Sequence, residues 1–155
     1  ASWKTAARYI NCIPNAEKID ENKISNEILE ESLQILKSLL SFFPAARKYD
    51  VRPKFDGCGI LNSCEGDYID NFCLYEIKAG DRNFRVADIR QLLTYSASDY
   101  AAGKNRFERI GLFNPRTGLF WVRDLNEVLL NISGQSASEI LPKICSILEN
   151  IDVTK

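Results

Sequence analysis

The stretch Gly66-Asp67-Tyr68-Ile69-Asp70-Asn71-Phe72-Cys73-Leu74-Tyr75-Glu76-Ile77-Lys78 decides the reading of this chain. It has the composition of a β-hairpin. Leu74, Tyr75 and Ile77 are strand formers, and Asp70-Asn71 is the best turn candidate, since both residues tolerate turn conformations. With that pair as the loop, Ile69 faces Phe72, Tyr68 faces Cys73 and Asp67 faces Leu74. Side chains alternate along a strand, so Asp67, Glu76 and Lys78 then share one side of the sheet, with Asp67 and Glu76 as diagonal neighbours. Charges on a strand that should bury one face need a reason. Two nearby carboxylates repel, and one tends to keep its proton unless a cation intervenes. Lys78 supplies one positive charge, and a divalent metal would supply the rest, because carboxylates are the ligands Mg²⁺ and Mn²⁺ prefer. The competing reading is a solvated strand face with an ordinary Glu-Lys pair.

After Ala79-Gly80-Asp81 the spacing turns helical. Val86, Ile89, Leu93, Ala97 and Tyr100 recur every three or four residues and form the expected apolar stripe. Asp88, Gln91, Tyr95 and Asp99 follow on another stripe, so Gln91 and Tyr95 project from one face. Alone, a Gln and a Tyr four residues apart say little. Behind an acid, eight intervening residues and Glu76-Ile77-Lys78, they say much more.

The order Asp67, Glu76-Ile77-Lys78, Gln91-Leu92-Leu93-Thr94-Tyr95 resembles the PD-(D/E)xK, or restriction-endonuclease-like, nuclease superfamily, and the Gln/Tyr pair is similar to its RecB-like branch. The resemblance covers residues 25 to 123, with the specific motifs in the middle third of the chain. Gly66 stands where the family name has Pro. The resemblance implies an α/β fold with an α-β-β-β-α-β core, a mixed central sheet flanked by helices. It implies a Mg²⁺- or Mn²⁺-dependent phosphodiester hydrolase acting on DNA, in prokaryotic defence or repair. Asp67, Glu76 and the backbone carbonyl of Ile77 would hold the metal, Lys78 and Gln91 would orient water or phosphate, and Tyr95 would support the site. Asp56, in Lys54-Phe55-Asp56-Gly57, is the rival first acid, although beside a glycine it reads more naturally as part of a bend. Members also donate a Glu from the first helix. Here Glu27, Glu30 and Glu31 all qualify and spacing does not choose among them. The alternative on the same fold is an inactive module that binds nucleic acid or protein.

Composition narrows the chemistry. The 155 residues include no histidine, which excludes Ser-His and Cys-His hydrolase arrangements, so hydrolysis must rest on carboxylates, lysine and metal. The five cysteines (Cys12, Cys58, Cys64, Cys73, Cys145) form no C-x-x-C pair. A zinc site would need Cys58, Cys64 and Cys73 to converge; buried thiols in a reducing compartment are the simpler expectation. Net charge is −1 with a pI near 5.6. Residues 11 to 31 are rich in acid, whereas Lys78 to Arg109 is basic. Arg82, Arg85 and Arg90 are therefore the candidate phosphate contacts, unless they are only solvated helix surface.

A single domain is expected over 1–155, divided into a lead-in (1–24), the core (25–123) and a helical C-terminal extension (124–155). The first residue is Ala1 and not a methionine, which suggests excision from a larger protein. No apolar run is long enough to span a membrane, which points to a soluble cytoplasmic chain. Trp3 to Ile10 reads as a short irregular or helical lead-in and residues 11 to 24 as a loop. Ser25 should cap a helix running to about Phe43, with Pro44 ending it. Arg106 to Phe113 and Leu119 to Arg123 should be strands around the turn Asn114-Pro115-Arg116-Thr117-Gly118, with Phe120 and Trp121 packing on the sheet or a helix. Ser136-x-x-Glu139 should box the start of a last helix, with Pro142 in its first turn.

Overall fold

A computed structural model describes residues 25–43, 49–57 and 61–150. The expected lead-in, its loop, Pro44, Cys12 and Cys58 lie outside the described residues. Contacts divide the chain into two compact units, Ala1–Lys37 and Ser38–Lys155. The division falls inside the first helix, α1 (Asn26–Phe42). Ser25 caps it as its sequence suggests: the Ile28 N–H donates to Ser25 Oγ at 3.3 Å, meeting one of the donors a helix start leaves open.

The second unit is a mixed α/β structure. Its strands are β1 (Tyr49–Val51), β2 (Lys54–Phe55), β3 (Cys64–Glu65), β4 (Tyr68–Asp70), β5 (Cys73–Ile77), β6 (Arg109–Phe113) and β7 (Phe120–Asp124). The helices are α2 (Val86–Ala101), α3 (Leu125–Ser133) and α4 (Ala137–Asn150). Five strands form one sheet in the order β1-β4-β5-β6-β7, and β2 pairs with β3 in a separate antiparallel ribbon. β4 runs antiparallel to both of its neighbours, β1 and β5, β5 and β6 are parallel across the α2 connection, and β7 returns antiparallel to β6. Among the described residues, no helix is long and apolar enough to cross a membrane.

The hairpin is closed by a different pair of residues from the expected one. Tyr68 pairs with Tyr75, Ile69 with Leu74 and Asp70 with Cys73, leaving Asn71 and Phe72 as the loop. Both loop residues have positive φ, 40° and 65°, as a tight hairpin turn requires. Phe72 is an unfavourable residue for that conformation. The shifted turn nevertheless brings Cys73 and Leu74 into the core at 0% exposure. It also aims the Phe72 carbonyl at the N–H groups of Glu108 and Arg109. Moving the loop by one residue changes the pairing by two, so no side chain changes face. Asp67 comes level with Glu76 instead of standing diagonal to it.

The stripe expected to anchor α2 is borne out in its middle, where Ala97 is buried and Ile89 and Leu93 pack against the core, and fails at its ends, where Val86 is 66% exposed and Tyr100 lies at the surface. Leu92, Tyr95, Ser96 and Asp99 are buried as well. The polar stripe also turns inward, because its charges are met locally. Arg82 holds Asp88 by two bonds of 2.7 and 2.8 Å, and Arg106 Nε donates to Asp99 at 2.6 Å. A fully apolar core still forms behind α2 from Leu74, Leu92, Ile110, Leu112, Leu129 and Leu141. Each such side chain contributes about 1.5–3 kcal/mol on leaving water.

Strand β6 starts at Arg109 rather than Arg106, whose guanidinium is engaged elsewhere. The turn at 114–118 forms as expected, with Gly118 at φ 73° and its N–H donating to the Asn114 carbonyl at 2.9 Å. Trp121 packs on the core, and Phe120 tilts against Phe42 at 5.5 Å between ring centroids. α3 occupies the first part of the expected helical extension, capped by Asp124, which accepts from the Glu127 N–H at 2.9 Å. Half of the expected Ser136–Glu139 box forms: Glu139 Oε2 accepts from the Ser136 N–H at 2.8 Å, but the Ser136 hydroxyl also donates to that carboxylate, and the Glu139 N–H goes to the Ser136 carbonyl. Pro142, however, sits in the second turn of α4 and not the first. The residue whose carbonyl loses its partner there, Ser138, is exposed, which lets the helix tolerate the proline.

Gly111 is a fixed point of this sheet. It pairs with Tyr75, and a Cβ there would stand 2.8 Å from Tyr75 Cδ1 and 3.1 Å from Val122 Cγ2. Phe42 and Phe43 pack edge-on against the Tyr75 ring, so it has little room to retreat. Gly111→Ala should therefore destabilise the chain by about 1–3 kcal/mol, read as a lower denaturant midpoint at unchanged slope.

Candidate functional site

The groups from the hairpin and α2 converge within the second unit. Asp67 occupies the bend before β4, and its backbone carbonyl accepts from the Arg52 N–H at 3.0 Å. Its side chain turns across to β5, where Asp67 Oδ2 accepts from the Ile77 N–H at 2.7 Å. Glu76 projects from β5 into the sheet–α2 interface and is 6% exposed. One of its oxygens, Oε1, accepts from Lys78 Nζ at 2.8 Å and from Gln91 Nε2 at 2.9 Å. Gln91 Oε1 in turn accepts from Lys78 at 2.8 Å, closing a triangle of three side chains.

The network continues outward with one consistent polarity. Gln91 Nε2 gives its second hydrogen to the Tyr95 hydroxyl at 2.7 Å, and that hydroxyl donates to the Glu65 carbonyl at 3.0 Å. Every hydrogen of the Gln91 amide is thus used, and the amide orientation is fixed. The segment after Lys78 is pinned from the opposite turn. The Lys78 N–H donates to the Phe113 carbonyl at 2.9 Å, and buried Asn114 gives Nδ2 to the Gly80 carbonyl at 2.8 Å.

Glu76 Oε2 is different. Among the described residues it is the buried side-chain atom that has no hydrogen-bond partner. An interior carboxylate oxygen without a partner is expensive. Burial pushes the Glu76 carboxyl above its ordinary range; the Lys78 hydrogen bond opposes this and the nearby Asp67 charge adds to it. Burial likewise raises the Tyr95 hydroxyl. An unmatched oxygen beside a second acid has the donor chemistry of a hard divalent cation. Among the described residues no three His, Cys, Asp or Glu side chains gather to hold an ion. The acid pair would therefore need help from the main chain.

Of the remaining candidates, Asp56, Arg82, Arg85 and Arg90 belong to the same unit and take no part in this network. Asp56 is 67% exposed in its side chain and bonds Lys104 Nζ at 2.6 Å, which lowers its carboxyl below the ordinary range. Glu27, Glu30 and Glu31 stand in the part of α1 that belongs to the first unit, whereas the network described lies wholly in the second. Arg82 spends its guanidinium on Asp88, whose carboxyl it holds down to about 2. Arg85 and Arg90 are exposed on α2 and its approach. Burial raises the thiols of Cys64 and Cys73, the latter to about 11.

Two contributors carry no local signal in the sequence. Phe55 lies with its ring parallel to Tyr95, 4.7 Å away, and the Glu65 main chain receives the Tyr95 hydroxyl. Both come from the β2–β3 ribbon, forty and thirty residues before Tyr95 in the chain, and neither belongs to a motif. Only a tertiary contact reveals them.

The raised Glu76 carboxyl makes stability depend on pH. An acid whose folded-state affinity for protons exceeds its unfolded one binds more protons when folded, so its contribution falls as pH rises. In chelator-treated samples compared over about pH 5 to 8, Glu76→Gln should gain stability relative to wild type as pH increases. A gap that stays constant with pH in urea titrations would show that Glu76 is not held in this strained state.

Compared with protein-family models, with curated proteins and with solved structures, the chain matches none.

Proposed function

We propose that this chain is a metal-dependent nuclease of the PD-(D/E)xK type, of the RecB-like branch, that hydrolyses phosphodiester bonds in DNA. The observation that carries the reading is the partnerless, buried Glu76 Oε2, on a carboxylate whose other oxygen holds Lys78 and Gln91, with the Asp67 carboxylate bonded to the N–H of the next residue, Ile77. A stable core has no use for that arrangement, whereas a cation site requires it. The order of elements supports the same reading. A helix precedes three antiparallel strands of one sheet, and a second helix leads to a strand parallel to the third. That order supports the α-β-β-β-α-β core that the motif resemblance implies, read with the β2–β3 ribbon as an insertion between its first two strands.

Asp67, Glu76 and the Ile77 carbonyl are the residues that would hold Mg²⁺ or Mn²⁺. When bound, the ion would lower the pKa of a water and offset charge on the scissile phosphate. The chain's own groups do the positioning. Lys78 Nζ, fixed by two acceptors, keeps a third N–H to offer a phosphate oxygen. Gln91 holds Lys78 and Glu76 at a set separation, and Tyr95 holds Gln91. With no histidine in the chain, the proton chemistry falls to the lysine and the carboxylates. DNA is preferred over RNA because most of the superfamily cuts it, and defence against foreign DNA or repair is the matching role. Arg85 and Arg90 are the cations offered to a phosphate backbone.

Supercoiled plasmid incubated with Mg²⁺ or Mn²⁺ should be cut by the wild type. Glu76→Ala, Lys78→Ala and Asp67→Ala should each lose roughly 10²–10⁴-fold in rate, the usual weight of a positioned acid, base or ligand. Equal rates in wild type and variants would overturn the assignment. Binding of the plasmid without cleavage by any of them would point to an inactive module on this fold.

A further inference from the structure

Asp67 has no direct side-chain tie to Lys78, Gln91 or Tyr95, yet its carboxylate must lie opposite Glu76 for the site to exist. The Ile77 and Arg52 N–H groups hold it directly, and a second set of contacts that steers it begins some distance away. Arg106, just before β6, makes an unusual number of attachments. Its N–H and Nε bond the two oxygens of buried Asp99 at 2.8 and 2.6 Å, and Nη2 donates to the Lys54 carbonyl at 3.0 Å. Nη1 lies 3.6 Å from Asp50. The guanidinium carbon stands 4.7 Å from the Phe55 ring centroid. Phe55, 1% exposed, lies parallel to the Tyr95 ring at 4.7 Å, and the Tyr95 hydroxyl holds the Glu65 carbonyl. Gly66 and then Asp67 follow directly, with the Gly66 N–H on the Pro53 carbonyl at 3.0 Å.

We infer that Arg106 is a positioning residue for Asp67, acting through Phe55 and Tyr95. It clamps the β2–β3 ribbon onto the C-terminal end of α2. The ribbon, fastened at Lys54 by Arg106 and at Glu65 by Tyr95, delivers Asp67 to the edge of β4. Arginine suits this work better than lysine, because one planar group bonds a carboxylate and a carbonyl while covering an aromatic face. The role of Arg106 in catalysis rests on the nuclease reading; its control of where Asp67 sits does not.

The chain contains its own reporter. The Ile77 N–H bonds the Asp67 carboxylate, while the next amide, Lys78 N–H, bonds the Phe113 carbonyl in the main sheet. Amide hydrogen exchange by NMR, without metal, compares the two. Arg106→Lys keeps a charge beside Asp99 but loses the plane over Phe55. Phe55→Leu keeps apolar bulk but loses the stack on Tyr95. In both, Ile77 exchange should accelerate by roughly tenfold or more over that of Lys78. Lys104→Ala, which breaks the exposed pair with Asp56, should leave the ratio unchanged. Acceleration of both amides together would mark Arg106 as merely structural, and no change in either would equally overturn the inference. Should Arg106→Lys fail to fold, Phe55→Leu decides alone. A wild type that fails to cut plasmid would sink the nuclease reading and leave this comparison intact.

Discussion

A carboxylate carried on the central strand and shut away from water sets the terms for this molecule. Glu76 could be accommodated in several ways, of which protonation is the cheapest. The fold instead surrounds one oxygen with an ammonium and an amide and leaves the other unmatched. Everything near it follows from that arrangement. Gln91 must come from a helix packed on the sheet, so α2 turns a polar stripe inward. That stripe then needs Arg82 for Asp88 and Arg106 for Asp99, so that no second charge is stranded. The neighbourhood is organised around keeping a single group uncomfortable.

How far the sequence revealed this depended on what each inference required. The face shared by Asp67, Glu76 and Lys78 follows from alternation along two strands, which survives an error in the loop. Placing the turn at Asp70-Asn71 instead of Asn71-Phe72 misplaced every pairing and still kept every side chain on its correct side. The turn itself was not legible, because an aromatic at positive φ is locally unfavourable and its compensation, the bonds from the Glu108 and Arg109 N–H groups to the Phe72 carbonyl, comes from a distant part of the chain. The ladder with β6 then consolidates that choice.

Periodicity found the middle of the apolar face of α2, at Ile89, Leu93 and Ala97, but missed that the polar stripe is buried too. Hydrophobic spacing locates the core only where polar residues prefer water, and Asp88, Tyr95 and Asp99 each have a partner inside. No spacing rule shows that Arg82 or Arg106 will be there. The expectation for Pro142 failed more simply, since an exposed carbonyl one turn back is enough to tolerate a proline in the second turn. The caps at Ser25 and Asp124, and the glutamate half of the box at Ser136, are decided within four residues and formed. Phe55 belongs at the opposite extreme, because its meaning arises only when the β2–β3 ribbon meets α2.

The Arg82–Asp88 pair bears on how a polyanion would experience this surface. A guanidinium already neutralised by two bonds to a half-turn of its own chain releases few counterions when a phosphate backbone approaches. Arg82 would then stiffen the entry to α2 without adding to long-range attraction. In a chain whose total charge is close to zero, capture of a nucleic acid on this side would owe more to shape and to the few exposed cations than to a broad electrostatic field.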